Sequence, residues 1–374
     1  MYLDNAATTE LTKEVKDYLI SILDDYGNPS SQYSLGDKTR DIIAKARNNV
    51  AKFINGKAQN IVFTSSGSAS NSLIIKGITK ERLLGSKYTV LYSPTAHKSM
   101  IESAKSCTRN MSLIVNNKGE IDISYLESTL NRYYLCKPIV CIEWGNSEIG
   151  TINDVKKIAD IVHKHNGILI VDATGYIPTC QVDMKQANYI DFLTFSGHKL
   201  HALKGIGVLY INNNIHIEPL VYGSQEHGIF AGTENVLGIA SIGKAVEGYD
   251  YTSISSKNRD YVYDYIIKNI PGCYLVGVEL KHRLSHNLYM CFKGCNGESL
   301  MTLLDEYGIQ VSTGSACNSG NPLPSSTLTS IGMDQDDIHS CVRMTFSGNE
   351  TENELNYICN MIEQCVNLLR FRKW

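Results

Sequence analysis

The chain has 374 residues, with 35 Lys and Arg against 38 Asp and Glu and a formal net charge of -3. That balance excludes a global basic field for nucleic acid or anionic lipid. With 43% apolar residues, 20% charged residues and only 8 prolines, the composition does not suit extensive disorder and allows a sizeable core.

The first residues, MYLDNAATTE, lack the basic region and apolar core of a secretory signal. Apolar stretches stop well short of the roughly 18 residues that a membrane span needs. A cytoplasmic protein with neither a membrane nor a nucleic-acid partner is expected. Helical periodicity occupies 13–25, with Val15, Tyr18, Leu19 and Ile22 on one apolar face, and 36–53. Between them DYGNPSSQYS is rich in turn formers and reads as irregular. β-prone runs recur at 60–64, 88–92, 138–143, 167–171, 190–194 and 205–211, with helical patterns at 70–82, 97–106 and 153–165 between several of them. This alternation predicts an α/β domain with a mostly parallel, doubly wound sheet covered on both faces.

A long helical pattern over roughly 235–268 leads away from that core. Beyond it lie strand-like VGVEL and HNLYMCF, helical GESLMTLLDEYG, a loop centred on GSACNSG, strand-like CVRMTFS and a helical tail at 350–369. These describe a second, smaller α+β unit. The expected division is a large domain at 15–255 and a smaller one built from 1–14 and 256–374, which carries the cysteine loop.

The eleven cysteines are too sparse for a disulfide scaffold at this length, and an odd number cannot all pair. Most read as small buried hydrophobes. Cys291 and Cys295 have the spacing of half a metal site, but no second pair lies near them and no metal is expected. No GxGxxG follows the first strand, no GxxxxGK[ST] phosphate loop occurs, and no repeat of fixed period is evident.

Two residues at strand exits suggest chemistry. Asp172 ends the run 167–171, and Lys199 follows the run 190–194 in a Ser-Gly-His-Lys turn. Open α/β sheets gather ligand groups at such exits. A pyridoxal phosphate enzyme needs this pair: a lysine to form a Schiff base with the aldehyde, and a carboxylate to keep the pyridine nitrogen protonated. On spacing alone, an exposed loop lysine and a helix-capping aspartate are the plainer explanation. Cys317 lies in STGSACNSG, a polar loop that suits a thiolate able to approach a sulfur and depart with it. A buried small hydrophobe is the alternative there.

The order of further segments is more specific. YLDNAATT at 2–9, YGNPSS at 26–31, FTSSGSASNS at 63–72, SPTAHKS around His97, NSEIG at 146–150, VDA at 171–173, SGHK at 196–199, GTENV at 232–236, HRLSHNL at 282–288, GSAC at 314–317 and VRMTFS at 342–347 span essentially the whole chain. Together they resemble the pyridoxal phosphate-dependent cysteine desulfurases of the nitrogen-fixation and iron–sulfur-cluster type, within the class V aminotransferase superfamily. The resemblance implies a type I pyridoxal phosphate transferase fold, pyridoxal 5'-phosphate as cofactor and L-cysteine as substrate. Lys199 matches the Schiff-base lysine, Asp172 the carboxylate at the pyridine nitrogen, and His97 the histidine stacked over the ring. Gly67 and Ser68 fall in the phosphate-binding tripeptide, and Ser196 and His198 match further phosphate ligands. Thr233 matches a threonine that reaches the neighbouring subunit's phosphate, which implies a homodimer. Cys317 matches the persulfide-forming cysteine, Arg343 the arginine that grips the substrate carboxylate, and Asn146 an asparagine contacting cofactor or substrate. An iron–sulfur scaffold or another protein would accept the sulfur.

Four positions depart from the pattern: Gly175 replaces a glutamine that bonds the cofactor ring oxygen, Ser147 the second of two asparagines, Ala69 a glutamate of the phosphate loop, and Phe230 an arginine before the threonine. They leave open a divergent class V aminotransferase-like enzyme, a selenocysteine lyase, or a weakened paralogue serving as a binding partner.

Overall fold

The structure, a computed structural model, describes residues 1–79, 88–132, 136–212, 215–252, 254, 256–314 and 324–371. Cys317 lies outside the described residues. In chain order come α1 (Lys13–Ser21), α2 (Ser34–Phe53), β1 (Ile61–Thr64), α3 (Gly67–Thr79), β2 (Tyr88–Tyr92), α4 (Lys98–Lys105), β3 (Asn110–Ser112) and α5 (Ile123–Arg132). They are followed by β4 (Lys137–Glu143), α6 (Val155–Lys164), β5 (Ile168–Asp172), β6 (Phe192–Ser196), β7 (Gly207–Ile211) and α7 (Val236–Ala245). The strands form one seven-stranded sheet of order β1-β7-β6-β5-β4-β2-β3. Strands β2 to β6 pair in parallel, whereas β7 is antiparallel to both β6 and β1. Only β7 therefore runs against the common direction, as a mostly parallel sheet requires.

Side chains alternate between the faces of each strand. Ile61, Phe63, Val140, Leu169 and Val171 pack with α2, α5, α6 and α7, while Val62, Val90, Ile139, Ile168 and Ile170 pack with α3 and α4. Coverage on both faces explains why β4 and β5 are continuous apolar runs rather than alternating ones.

The rest of the chain supplies α8 (Lys257–Asn269), β8 (Cys273–Leu275), β9 (Asn287–Phe292), α9 (Gly297–Glu306), α10 (Ser326–Ser330), α11 (Gln335–Ile338), β10 (Cys341–Thr345) and α12 (Glu352–Phe371). An antiparallel sheet of order β10-β9-β8 turns Leu288, Met290, Val342 and Met344 toward α8, α9 and α12. Its other face, with Tyr289, Cys291 and Cys341, joins the core of the large sheet. Cys291 and Cys295 thus belong to different clusters.

Two local expectations change. The helical pattern over 235–268 is two helices, because Gly248 takes φ 74° and the Asp250 carboxylate accepts the Thr252 amide in a turn. VGVEL is not a strand: β8 precedes it, and the chain leaves the sheet after the Val276 amide bonds Tyr289, turning at Gly277 with φ 84°. The sequence reading also passed over β3 and α5. Among the described residues, no helix is long and apolar enough to cross a membrane.

Candidate active site

Shared strand direction brings scattered segments together. Strands β1, β2, β4, β5 and β6 all end at one edge of the sheet, so Ser66–Gly67, the turn before His97, the loop 144–150, Asp172–Gly175 and Ser196–Lys199 leave from the same side. This is the edge where open parallel sheets bind ligands. Register makes it tight, with Glu143 opposite Asp172 and Asp172 opposite Thr194.

Asp172 is buried. One of its carboxylate oxygens accepts from Asn71 Nδ2 at 2.8 Å and the other from the Thr174 amide at 2.9 Å. Asn71 is itself held, since its Oδ1 accepts from Thr194 Oγ1 at 2.7 Å and its Nδ2 reaches Ser99 Oγ at 3.2 Å. Ser99 Oγ lies 2.8 Å from His97 Nδ1. A polar chain therefore links Asp172 to the histidine that caps α4, where His97 Nδ1 also accepts the Ser99 amide at 3.2 Å. That bond leaves Nδ1 unprotonated and places the neutral ring's proton on Nε2. The ring is open toward solvent yet crowded by protein. Burial lowers its pKa, Asp172 opposing this and Lys199 adding to it.

Lys199 ends a 3₁₀ turn after β6 and lines a cleft with Ser147, Thr174, Gly175, His286 and Phe346. Beside it, His198 Nδ1 lies 3.2 Å from Thr8 Oγ1. Burial, then Lys199 and Lys204, pushes the His198 pKa down to about 4. At the neighbouring strand end, α3 begins at Gly67, where an added Cβ would sit 3.4 Å from both Ser196 Cβ and Thr174 Oγ1. Ser66 Oγ accepts the Ala69 amide at 3.0 Å. The N-terminus of α3, Ser196 and exposed Ser68 thus border one another, an arrangement suited to an anionic phosphate.

Arg343 projects from β10. Its Nη2 pairs with Asp4 at 2.7 Å and its Nη1 donates to the Ser147 carbonyl at 3.1 Å. Its Nε is buried with no partner among the described residues. Asn146 is engaged by its own loop and by the segment after β2, and it does not line the cleft. Nδ2 donates to the Thr95 carbonyl at 2.8 Å, and Oδ1 accepts the Glu148 and Ile149 amides at 2.8 and 2.9 Å. Ser147, not Asn146, lines the cleft. Thr233 is exposed and is not among the residues lining this chain's cleft.

The departures at 147 and 175 are one feature. A Cβ on Gly175 would lie 2.4 Å from the Gly145 carbonyl oxygen and 2.5 Å from Ser147 Oγ, so the two loops approach too closely for any side chain at 175. Stacking of Trp144 on Tyr176, with centroids 4.4 Å apart and rings 6° from parallel, closes the same contact.

Sequence reasoning missed the residues that support these groups. Asn71 and Asp4 fall within FTSSGSASNS and YLDNAATT, where no local signal marks their roles. Glu143 is buried, accepts from Thr95 Oγ1, and has its pKa raised by burial against that bond. Glu148 Oε1 accepts from Ser325 Oγ at 2.5 Å and Tyr289 OH at 3.2 Å, and would lie 2.2 Å from a Cβ on Gly314. It therefore joins the residues that flank the Cys317 segment on both sides.

A carboxylate and a lysine at adjacent strand exits, a helix N-terminus beside them and a histidine linked through Asn71 fit pyridoxal 5'-phosphate, whose ring nitrogen, aldehyde and phosphate would each find here the donor or acceptor they need. This defines a pyridoxal phosphate-dependent enzyme of the type I fold. The model of the class-V aminotransferases matches residues 1–358. The cysteine desulfurase IscS of Dictyoglomus turgidum is 34% identical over 382 residues, covering 99% of this chain and 95% of that protein. Among solved structures, a NifS-like protein superimposes with a TM-score of 0.89 at 28% identity, covering 98% of this chain and 99% of that one. SspA in complex with cysteine gives 0.80 at 26% identity, covering 94% and 99%. The chain belongs to the class-V aminotransferase family and, within it, to the cysteine desulfurases of the IscS and NifS-like type.

Proposed function

We propose that the protein is a cysteine desulfurase that converts L-cysteine to L-alanine and carries the sulfur on Cys317. The observation carrying this reading is the convergence of Asp172, Lys199 and His97 at one sheet edge, with Arg343 of β10 bonded to the carbonyl of the cleft-lining Ser147. When bound, pyridoxal 5'-phosphate supplies an electron sink that makes the substrate α-proton removable. Asp172, oriented by Asn71 and Thr174, holds a proton at the ring nitrogen. Gly67, Ser68, Ser196 and His198 would hold the phosphate, and His97 would hold the ring. Lys199 takes the α-proton through its amine and returns a proton later. Arg343 grips the α-carboxylate with a guanidinium that stays charged. The Cys317 thiolate attacks the substrate sulfur. The carbon–sulfur bond breaks as the sulfur–sulfur bond forms, so cysteine and one protein thiol become alanine and one protein persulfide. Transfer to a thiol-bearing acceptor, such as an iron–sulfur scaffold, would clear it.

Several finer features belong to the same reading. A homodimer is supported by exposed Leu220, Val221 and Tyr222 near Thr233, which would complete the partner's phosphate site. The division into 15–255 and 1–14 with 256–374 is supported by the packing of Leu3 with Val262, Leu288 and Ile358. A cytoplasmic location belongs to the same reading, since eleven cysteines in 374 residues are too sparse for a disulfide scaffold.

The test incubates cofactor-loaded protein with L-cysteine and a reductant while measuring alanine and sulfide together. Equal yields, and an added sulfur on the Cys317 peptide before reduction, are expected. Cys317→Ala should keep cofactor and lose most alanine formation. If the variant makes alanine at the parent rate and the parent peptide gains no sulfur, the desulfurase reading falls.

A further inference from the structure

His286 immediately precedes β9 and is 5% exposed. Its side chain lines the cleft with Lys199, Ser147 and Gly175, and its carbonyl accepts the Phe346 amide at 3.0 Å, fixing it to the end of β10. Nδ1 is sealed from solvent without a hydrogen-bond partner among the described residues. A sealed nitrogen is tolerated better as a lone pair than as an orphaned N–H, so the ring proton belongs on Nε2. Burial pushes the pKa down to about 3, and the cations Arg343, Lys199 and Arg259 add to this in that order. His286 is consequently a neutral imidazole that keeps one N–H donor across the physiological pH range.

Among the described residues no hydrogen bond engages this Nε2 donor, and the side chain lines the cleft. L-Cysteine offers an amino group, a weakly accepting thiol and a carboxylate, and only the carboxylate is a strong acceptor suited to a site beside Arg343, Lys199 and Arg259, of which Arg343 is paired with Asp4 and Arg259 with Asp260. Arg343, the first of those cations, has its own Nε unsatisfied. Building on the reading of Arg343 as the carboxylate anchor, we infer that His286 is a second, uncharged donor to the α-carboxylate of the amino-acid substrate and helps set the specificity of this site. Its contribution is directional rather than coulombic, since a neutral N–H adds no charge to the site.

The test titrates the cofactor-loaded protein with L-cysteine and with cysteamine, which lacks only the carboxylate, following visible absorbance. Against the parent, His286→Ala should bind L-cysteine about tenfold or more weakly, the scale of one hydrogen bond to a charged group, and cysteamine unchanged. His286→Asn, which retains an N–H, should recover most of the loss. Cofactor stoichiometry and circular dichroism establish that each variant is folded. Equal weakening of both ligands, or no change in either, overturns the inference. So does a shifted pH midpoint of the cofactor absorbance before any ligand is added, which would assign the N–H to the cofactor ring. L-Alanine and ethylamine repeat the comparison without sulfur. The same contrast there, with no persulfide from L-cysteine, would defeat the desulfurase reading and leave His286 in its role.

Discussion

Asp172 can serve the pyridine nitrogen only if its carboxylate is aimed, and Asn71 does the aiming from the second turn of α3. Removing that amide takes away one of two donors to a buried carboxylate. Asn71→Ala is expected to retain cofactor through the phosphate residues while turnover falls about tenfold, the scale of one charge-assisted bond; kcat and the visible spectrum check this together. His198 and His286 carry a different consequence. Their folded-state pKa values, about 4 and about 3, lie below the roughly 6.5 of an unfolded histidine. The unfolded chain therefore binds more protons as the pH falls below about 6.5, and the stability these residues contribute above that pH is lost progressively toward about 4 and 3. Denaturant midpoints should drop across this window, and His286→Asn should flatten the drop. The need for a carboxylate and a lysine was legible in sequence, but Asn71 was not singled out, because an asparagine inside a helix gives no sign of what lies across the sheet.

At the scale of elements, the phosphate site depends on how closely β7 approaches the start of α3. A Cβ on Gly207 would lie 2.3 Å from the Ser66 carbonyl carbon, which is backbone and cannot swing away. Gly207→Ala should displace the first turn of α3, destabilise the fold by about 1–3 kcal/mol and release cofactor on dialysis that the parent retains. A second element-level tie is Arg47 on α2, which grips buried Glu226 through both guanidinium ends at 2.6 and 2.9 Å; the same carboxylate accepts the Phe63 amide of β1 at 2.8 Å. Glu226→Ala strands a shielded arginine and an amide, so a loss of about 3 kcal/mol is expected in chemical denaturation.

Across the whole molecule, the first nine residues connect both sheets to the site. The Leu3 amide bonds the Gln310 carbonyl at 2.8 Å and the Thr345 amide bonds the Leu3 carbonyl at 2.7 Å. Asp4 reaches Arg343, and the Thr9 amide bonds the His198 carbonyl at 2.9 Å, one residue from Lys199. Leu3 is fully buried among α8, α12 and the small sheet. Leu3→Ala should cost about 2–5 kcal/mol and, because this segment spans from Arg343 to Lys199, raise KM for L-cysteine alongside the lowered denaturation midpoint.

Periodicity determined most strands and helices by itself, since a strand buried on both faces must be apolar throughout and a covering helix must carry one apolar stripe. The ordered segments likewise identified Lys199, Asp172 and His97 as candidates, because their residue types follow from the chemistry. Only the tertiary structure decided that Gly175 and Ser147 form a single loop contact, that Asn146 ties its loop to the Thr95 carbonyl, and that Arg343 shares its guanidinium with Asp4. These are contacts between residues up to 339 positions apart, and their partners are chosen by sheet order and register, which no local pattern in the chain encodes.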